Sequence, residues 1–284
     1  MKFSFLIPVF NKESYLDNCF NSILNQKYKN YEVIIIDDCS TDNSVSVIDK
    51  YIEKYDNFKL YKNSCNKGLP YNRNRLVEKS TGDYLIFLDA DDYVSDNLLE
   101  DLLPYTQDNV DLIKVNINHV NRPAKDDKDK YNFYPGKEIL NSNDAIKVFL
   151  SVFEKHYAIS GSYIIKKELI TKNNIKYPEN IRVHEDVATT PILISFSKKI
   201  AFVNKVGYYY VENVKSLSNS FYKNEEWKLE EHSDKNEAFQ SAVLYAIGHL
   251  TKSPNISIES KKLLISDLLK RAKIDKTDEY LNNI

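Results

Sequence analysis

Along the N-terminal part of the chain, apolar residues come in short blocks, KFSFLI, YEVIIID, FKLYKN and DYLIFLD, separated by stretches with a longer apolar repeat. In those stretches Leu16, Phe20, Ile23 and Leu24 have helical spacing, and so do Val45, Ile48, Ile52 and Tyr55. The first, second and fourth blocks read as buried strands. Strands alternating with amphipathic helices predict βαβ units, an α/β fold on a mostly parallel sheet. Ligands of such sheets bind beyond the carboxyl ends of the strands.

Three predicted strand ends therefore share one edge: Pro8-Val9-Phe10-Asn11, Asp37-Asp38-Cys39-Ser40-Thr41-Asp42 and Asp89-Ala90-Asp91-Asp92. Carboxylates crowded at the end of a buried strand repel one another and cost desolvation energy unless positive charge arrives, and a divalent cation is the obvious partner. Isolated Asp residues also cap helices, and Ser40 to Asp42 are expected to cap one that starts near Asn43. No GxGxxG follows the first strand, no Walker A loop is present, and the chain has 6 glycines, which removes the usual dinucleotide and P-loop readings.

Further on, a helix is expected near residues 95–105, followed by a strand in VDLIKVNINHV. Residues 122–136, RPAKDDKDKYNFYPG, are polar and charged and read as a mobile excursion. Residues 144–155 look helical, and YAISGSYIIKK and KIAFVNKVGYYYV look like strands. Between those strands His184, Glu185 and Asp186 open an apolar helix in NIRVHEDVATTPILI. From about residue 224 the pattern is helical, ending in the amphipathic KKLLISDLLKRAK with Ile265, Leu268, Leu269 and Ala272 on one face. That face either packs on its own domain or rests on an anionic membrane.

A chain of 284 residues with 42% hydrophobic content can bury a sizeable core. With 39 Lys+Arg against 41 Asp+Glu, nothing in the total charge recommends nucleic acid as a partner. Cys19, Cys39 and Cys65 are odd in number and lack zinc-site spacing, which fits a reducing compartment. The start of the chain is too short in apolar length for a signal peptide, and no run reaches the roughly 20 apolar residues of a membrane span. The expected location is the cytoplasm, with peripheral contact to the inner face of the membrane left open.

The segments IPVFNKESYLDNCFNSILNQ, VIIIDDCSTDNS, NKGLPYNRN, TGDYLIFLDADD and VHEDVA, in this order, resemble the family 2 glycosyltransferases of GT-A fold over roughly residues 3–215. The resemblance implies a Rossmann-like sheet with flanking helices over residues 1–215, split into a nucleotide-sugar-binding half (1–105) and an acceptor-binding half (106–215). Residues 216–284 would then be a C-terminal helical appendage. It also implies a nucleotide-sugar donor, usually a UDP-sugar, a Mn²⁺ or Mg²⁺ ion, and a glycan or lipid-linked glycan acceptor of the bacterial cell envelope. Carried over residue by residue, Pro8, Val9 and Phe10 would hold the uridine and Glu13 would lie near the ribose. Asp38 would accept from the uracil N3–H. Asp89 and Ala90 would line the donor site, with Asp89 facing the ribose or the metal shell, and Asp91 would bind the metal. Arg73 would pair with these carboxylates.

Inverting transfer needs a base for the acceptor hydroxyl. Asp186 matches the family's base, with Glu185 the second choice. His184 has no assigned role. The run Tyr208-Tyr209-Tyr210 followed by Ser216 and Ser218 resembles the segment that closes over the diphosphate, but Val211 and Asn213 stand where many relatives carry Arg, leaving Lys215 as a substitute. Two other readings fit part of the pattern: a nucleotidyltransferase, which also uses paired aspartates with a cation, and a non-catalytic nucleotide-sugar-binding subunit. Oligomeric state is open, a homo-oligomer included.

Overall fold

The computed structural model describes residues 1–120, 139–152, 160–181, 183–211, 231–274 and 280–281. Strands β1 (Phe3–Val9), β2 (Tyr31–Asp37), β3 (Phe58–Lys62) and β4 (Tyr84–Phe87) alternate with helices α1 (Leu16–Leu24), α2 (Ser44–Lys54) and α3 (Leu69–Lys79). There follow β5 (Tyr93–Val94), α4 (Leu98–Gln107), β6 (Leu112–Val120), β7 (Ile139–Leu140) and α5 (Ser142–Val152). Then come β8 (Tyr163–Lys166), α6 (Lys167–Asn173), α7 (Glu185–Phe196), β9 (Ile200–Val211), α8 (Glu231–Leu250) and α9 (Ile258–Arg271).

The strands form one sheet in the order β3-β2-β1-β4-β8-β6-β9-β5, with β7 added antiparallel to β9. The segment β3-β2-β1-β4 is parallel throughout, as predicted, and β6 and β9 are also parallel. Between them β8 runs antiparallel to both β4 and β6, so the sheet is mixed where the two halves meet.

Period-2 alternation sends side chains to two separate cores. Phe3, Phe5, Ile7, Val33, Ile35, Tyr84 and Ile86 face α1, α2 and α4, packing on Leu16, Phe20, Ile23, Ile48 and Leu99. Leu6, Ile34, Ile36, Leu85 and Phe87 face the opposite layer. There they join Leu76 and Val77 of α3, Ile192 and Leu193 of α7, Val243 and Ile247 of α8, and Leu264 and Leu268 of α9. The last two helices thus share one apolar cluster with the sheet, and Ile265, Leu268, Leu269 and Ala272 are buried within it rather than turned outward.

Helix α7 is apolar on all sides, which requires neighbours all round. It lies among the sheet-facing residues and α8, and the connection between α8 and α9 closes its far end: Ser253 Oγ donates to Ser195 O at 2.6 Å and Asn255 Nδ2 to Phe196 O at 2.6 Å. Those are carbonyls that a helix C-terminus leaves without intrahelical partners.

Some elements differ from the sequence pattern. FKLYKN becomes the edge strand β3, with Phe58 alone fully buried. NKGLPYNRN, whose polar residues hide its period, starts α3 behind Gly68 at φ +86° with Pro70 in the first turn. In the strand expected in YAISGSYIIKK, residues 160–162 form a short 3₁₀ turn, 163–166 form β8 and α6 follows at once, while 157–159 lie outside the described residues. The excursion at 122–136, the end of the helix expected at 144–155, the onset of helix near 224, and Asn213, Lys215, Ser216 and Ser218 lie outside the described residues.

At the opposite edge of the sheet from the aspartates, Glu32 of β2 is buried and accepts from Ser4 Oγ (2.7 Å), Lys2 Nζ (3.0 Å) and Thr81 N (2.5 Å). Burial alone would raise its pKa, but these donors outweigh it and hold the carboxyl at about 2 instead of 4.5. Its contribution to stability is therefore complete above pH 4.5 and lost as pH falls through about 2. Glu32→Gln is expected to destabilise by about 1.5–3 kcal/mol at neutral pH. Urea midpoints of the two proteins should converge as pH drops below the ordinary carboxylate range.

Candidate active site

Because β1, β2 and β4 are adjacent and parallel, their carboxyl ends lie side by side, with Val9 in register with Asp37 and Leu6 with Phe87. The loops that leave them are tied together. Asn11 N donates to Ser40 Oγ (3.0 Å), Lys12 N to Ser44 Oγ (2.8 Å) and Glu13 N to Asp42 Oδ2 (3.1 Å). Thr41 N donates back to Asn11 Oδ1 (2.8 Å), and Asn43 N to Glu13 Oε2 (2.8 Å). Asn11 and Cys39 adopt the left-handed region, at φ +52° and +66°, a local strain that this lacing holds in place. Val9 is buried, Pro8 half-buried and Phe10 exposed at the mouth of the site. Asp42, one residue ahead of the N-cap Asn43, also accepts from Ser44 N (2.9 Å), whereas Asn43 makes no side-chain cap of its own, and Ser40 and Thr41 bond to Asn11 rather than capping α2.

Asp38 is buried and accepts from Asn63 Nδ2 (2.7 Å), Lys67 N (2.8 Å) and Gly68 N (2.9 Å), which fixes the loop leading into α3. Three of its roughly four acceptor positions are thereby filled.

The Asp89-Ala90-Asp91-Asp92 segment divides its labour. Asp92 points inward, accepting from Tyr208 Oη (2.5 Å) and Val211 N (2.8 Å), so it straps β9 to this loop. Burial first, then the charges of Asp89 and Asp91, raise its pKa well above the usual range. Tyr208 lies over Gly161, where a Cβ would collide with its ring. Asp91 pairs with Lys12 Nζ at 2.5 Å. Asp89 is half-exposed and stands 3.5 Å from Arg73 Nη2.

Arg73 is buried on α3, its guanidinium beside the edge-to-face pair of Phe87 and Tyr177, 5.7 and 5.3 Å from the two ring centres. Its Nη1 lies 3.2 Å from Glu185 Oε1. The loop that carries Tyr177 is held by Asn74, which donates to Tyr177 O (2.8 Å) and accepts from Tyr177 N (2.8 Å). Glu185, the first residue of α7, is buried, and burial opposed by Arg73 leaves its pKa raised to about 7. Asp186 is half-buried; burial raises its pKa, the Arg73 charge and the Val187 N–H (2.8 Å) oppose the rise, and Asp89 adds to it. His184 takes the left-handed conformation at φ +69° and packs edge-on against Phe239 of α8 at 5.6 Å.

Asp89, Arg73, Glu185 and Asp186 thus meet in one place, while Asp91 with Lys12, Asp38, Glu13 and Phe10 line the neighbouring strand ends. Lys12 and Tyr177 were not foreseen, and Tyr208, marked only as part of the run resembling a diphosphate-closing segment, instead donates to Asp92. A count of charge would have suggested Lys12, since so many carboxylates require cations, but no sequence pattern marks Tyr177. Among the described residues no group of three or more His, Cys, Asp or Glu side chains forms a metal cage. Two half-buried carboxylate groups at one loop fit a hard cation only when phosphate oxygens and waters complete its shell.

The sequence profile of glycosyl transferase family 2 matches residues 4–172. The chain belongs to this family. Its relatives include the poly(ribitol-phosphate) β-N-acetylglucosaminyltransferase TarS of Staphylococcus aureus, 28% identical over 214 residues, which are 74% of this chain and 35% of TarS. The corresponding enzyme TarP is 33% identical over 225 residues, 77% of this chain and 65% of TarP. The chain therefore spans about a third of the length of TarS. Among solved structures, S. aureus TarS 1–349 in complex with UDP-GlcNAc superposes with a TM-score of 0.74 at 22% identity, covering 99% of this chain and 75% of that one. The family member described here has the same GT-A fold.

Removing the Tyr208 hydroxyl leaves the buried Asp92 short of a donor. Tyr208→Phe is expected to cost about 1–3 kcal/mol, read as a shifted urea midpoint with unchanged slope.

Proposed function

We propose that the chain is an inverting, metal-dependent glycosyltransferase that moves a sugar from a UDP-sugar to a hydroxyl of a cell-envelope glycan. The observation that carries this reading is that the buried Arg73 lies between Asp89 and Glu185, the neighbour of Asp186, so that the proposed donor and base residues share one cation. The names of TarS and TarP support a glycan acceptor of the wall-polymer class and an N-acetylhexosaminyl or hexosyl donor.

In this reading residues 1–105 bind the donor, 106–215 bind the acceptor, and within the C-terminal helical region 216–284 the helices α8 and α9 buttress α7. Pro8, Val9 and Phe10 hold the uracil, Asp38 accepts its N3–H at the remaining position on its carboxylate, and Glu13 stands near the ribose. Asp91 would hold Mn²⁺ or Mg²⁺, which would supply positive charge to the departing diphosphate, with Asp89 and Ala90 lining the donor site beside it. Lys12 adds positive charge at the same point. Asp186 takes the proton of the acceptor hydroxyl as the C–O bond forms. Its partial burial raises basicity while Arg73 keeps the carboxylate ionised. The acidic limb of kcat is accordingly expected above the ordinary aspartate range, with activity lost as pH falls through it. Among the described residues no helix is long and apolar enough to cross a membrane, so reaching a lipid-linked acceptor would require contact at the surface.

Slow hydrolysis of a panel of nucleotide sugars, with and without Mn²⁺, tests the reading. Metal-dependent release of UDP from one donor is expected, falling at least about 100-fold in Asp91→Asn and Asp186→Asn. Pyrophosphate release would point to nucleotidyl transfer, and donor binding without turnover, even with glycan acceptors supplied, to a binding subunit. Neither binding nor turnover of any donor would overturn the proposal.

A further inference from the structure

Transfer chemistry as proposed uses Asp186 and gives Glu185 nothing to do, yet Glu185 is the more deeply buried of the two. A buried carboxylate without a reason costs several kcal/mol. Its surroundings supply one. Glu185 and Asp89 share one guanidinium, at 3.2 and 3.5 Å, and that guanidinium has 4% exposure. The rings of Phe87 and Tyr177 lie close beside it. Asp89 keeps 33% exposure, whereas Glu185, at 8%, depends more heavily on Arg73 to carry its charge.

The contacts are long for charge-assisted hydrogen bonds, and neither Nε nor Nη1 of Arg73 makes an aligned hydrogen bond among the described residues. Arg73 is therefore shared between its two carboxylates rather than committed to either. One of them belongs to the loop that carries Asp91, and the other is the residue next to Asp186.

We infer that Arg73 and Glu185 form a positioning pair: neither touches the reacting atoms, and together they set the spacing between the Asp89–Asp91 loop and the Asp186 carboxylate. The inference rests on Asp186 being the base. Glu185, as the first residue of α7, fixes the rotation of that first turn. Arg73, as the rigid member on α3, fixes where the turn sits relative to β4. Lysine cannot reproduce this, because a single ammonium cannot face two carboxylates in one plane.

The test is a double-mutant cycle of Arg73→Lys and Glu185→Gln, with Asp186→Asn as reference. The readouts are UDP affinity in Mn²⁺ by calorimetry, kcat and KM for UDP-sugar hydrolysis, and urea midpoints. Glu185→Gln is expected to leave UDP affinity and KM within about threefold and to lower kcat about 10–100-fold, the signature of misplacement rather than lost binding. Arg73→Lys is expected to lower kcat similarly, and the double variant to be no worse than the poorer single one. Urea midpoints, which need no donor, are expected to show the same non-additivity. Effects that multiply in the double variant, or a Glu185→Gln loss that falls on KM and UDP affinity as much as on kcat, would overturn the pair while leaving the transferase reading intact. Full turnover in Asp186→Asn with none in Glu185→Gln would instead remove the base assignment beneath it.

Discussion

A guanidinium buried at the carboxyl end of β4 cannot exist alone, and the shape of the active end follows from what it needs. Arg73 has carboxylates in reach on two sides and aromatic rings beside it, so four separate pieces of chain must converge on it: α3, the strand β4 with the aspartate loop, the Tyr177 loop and the start of α7. Without that cation, Asp89, Glu185 and Asp186 would face one another across a poorly solvated space and repel. With it, their mutual proximity becomes tolerable, and proximity is what the chemistry requires.

The C-terminal helices take part in this arrangement. A helix apolar on every side, as α7 is, would be unstable on a sheet with one face bare. Helix α8 covers it, Phe239 meets His184 at its start, and Ser253 and Asn255 satisfy carbonyls at its end. The helix that carries Asp186 is therefore held at both ends by residues beyond the segments that resemble the family. At the ends of β1 and β2 the equivalent role belongs to Asp38 and Glu13, which tie the strand-end loops to one another through backbone N–H groups.

The parallel half of the sheet was legible because β1, β2 and β4 are continuous apolar runs buried on both faces, and because α1 carries a clean 3.6-residue repeat. Helix α3 was not, since Asn72 and Arg73 sit where a periodic reading expects apolar residues and are buried among polar and charged partners instead. The antiparallel insertion of β8 depends on long-range pairing that no local pattern encodes. In the site, the strand-end aspartates were visible from position, and Asp186 from the resemblance of VHEDVA to the family's motif. The inward turn of Asp92 and the Tyr208 hydroxyl that receives it were not, because both depend on β9 folding back over a residue far earlier in the chain.

The placement of donor and cation is the claim on which the rest stands. Crystals grown with UDP and Mn²⁺ and measured at the manganese edge test it directly. One anomalous peak is expected within coordination distance of an Asp91 oxygen and of the diphosphate, with the uracil between the ends of β1 and β2. Manganese that makes no contact with Asp91, or UDP bound away from those strand ends, would contradict it.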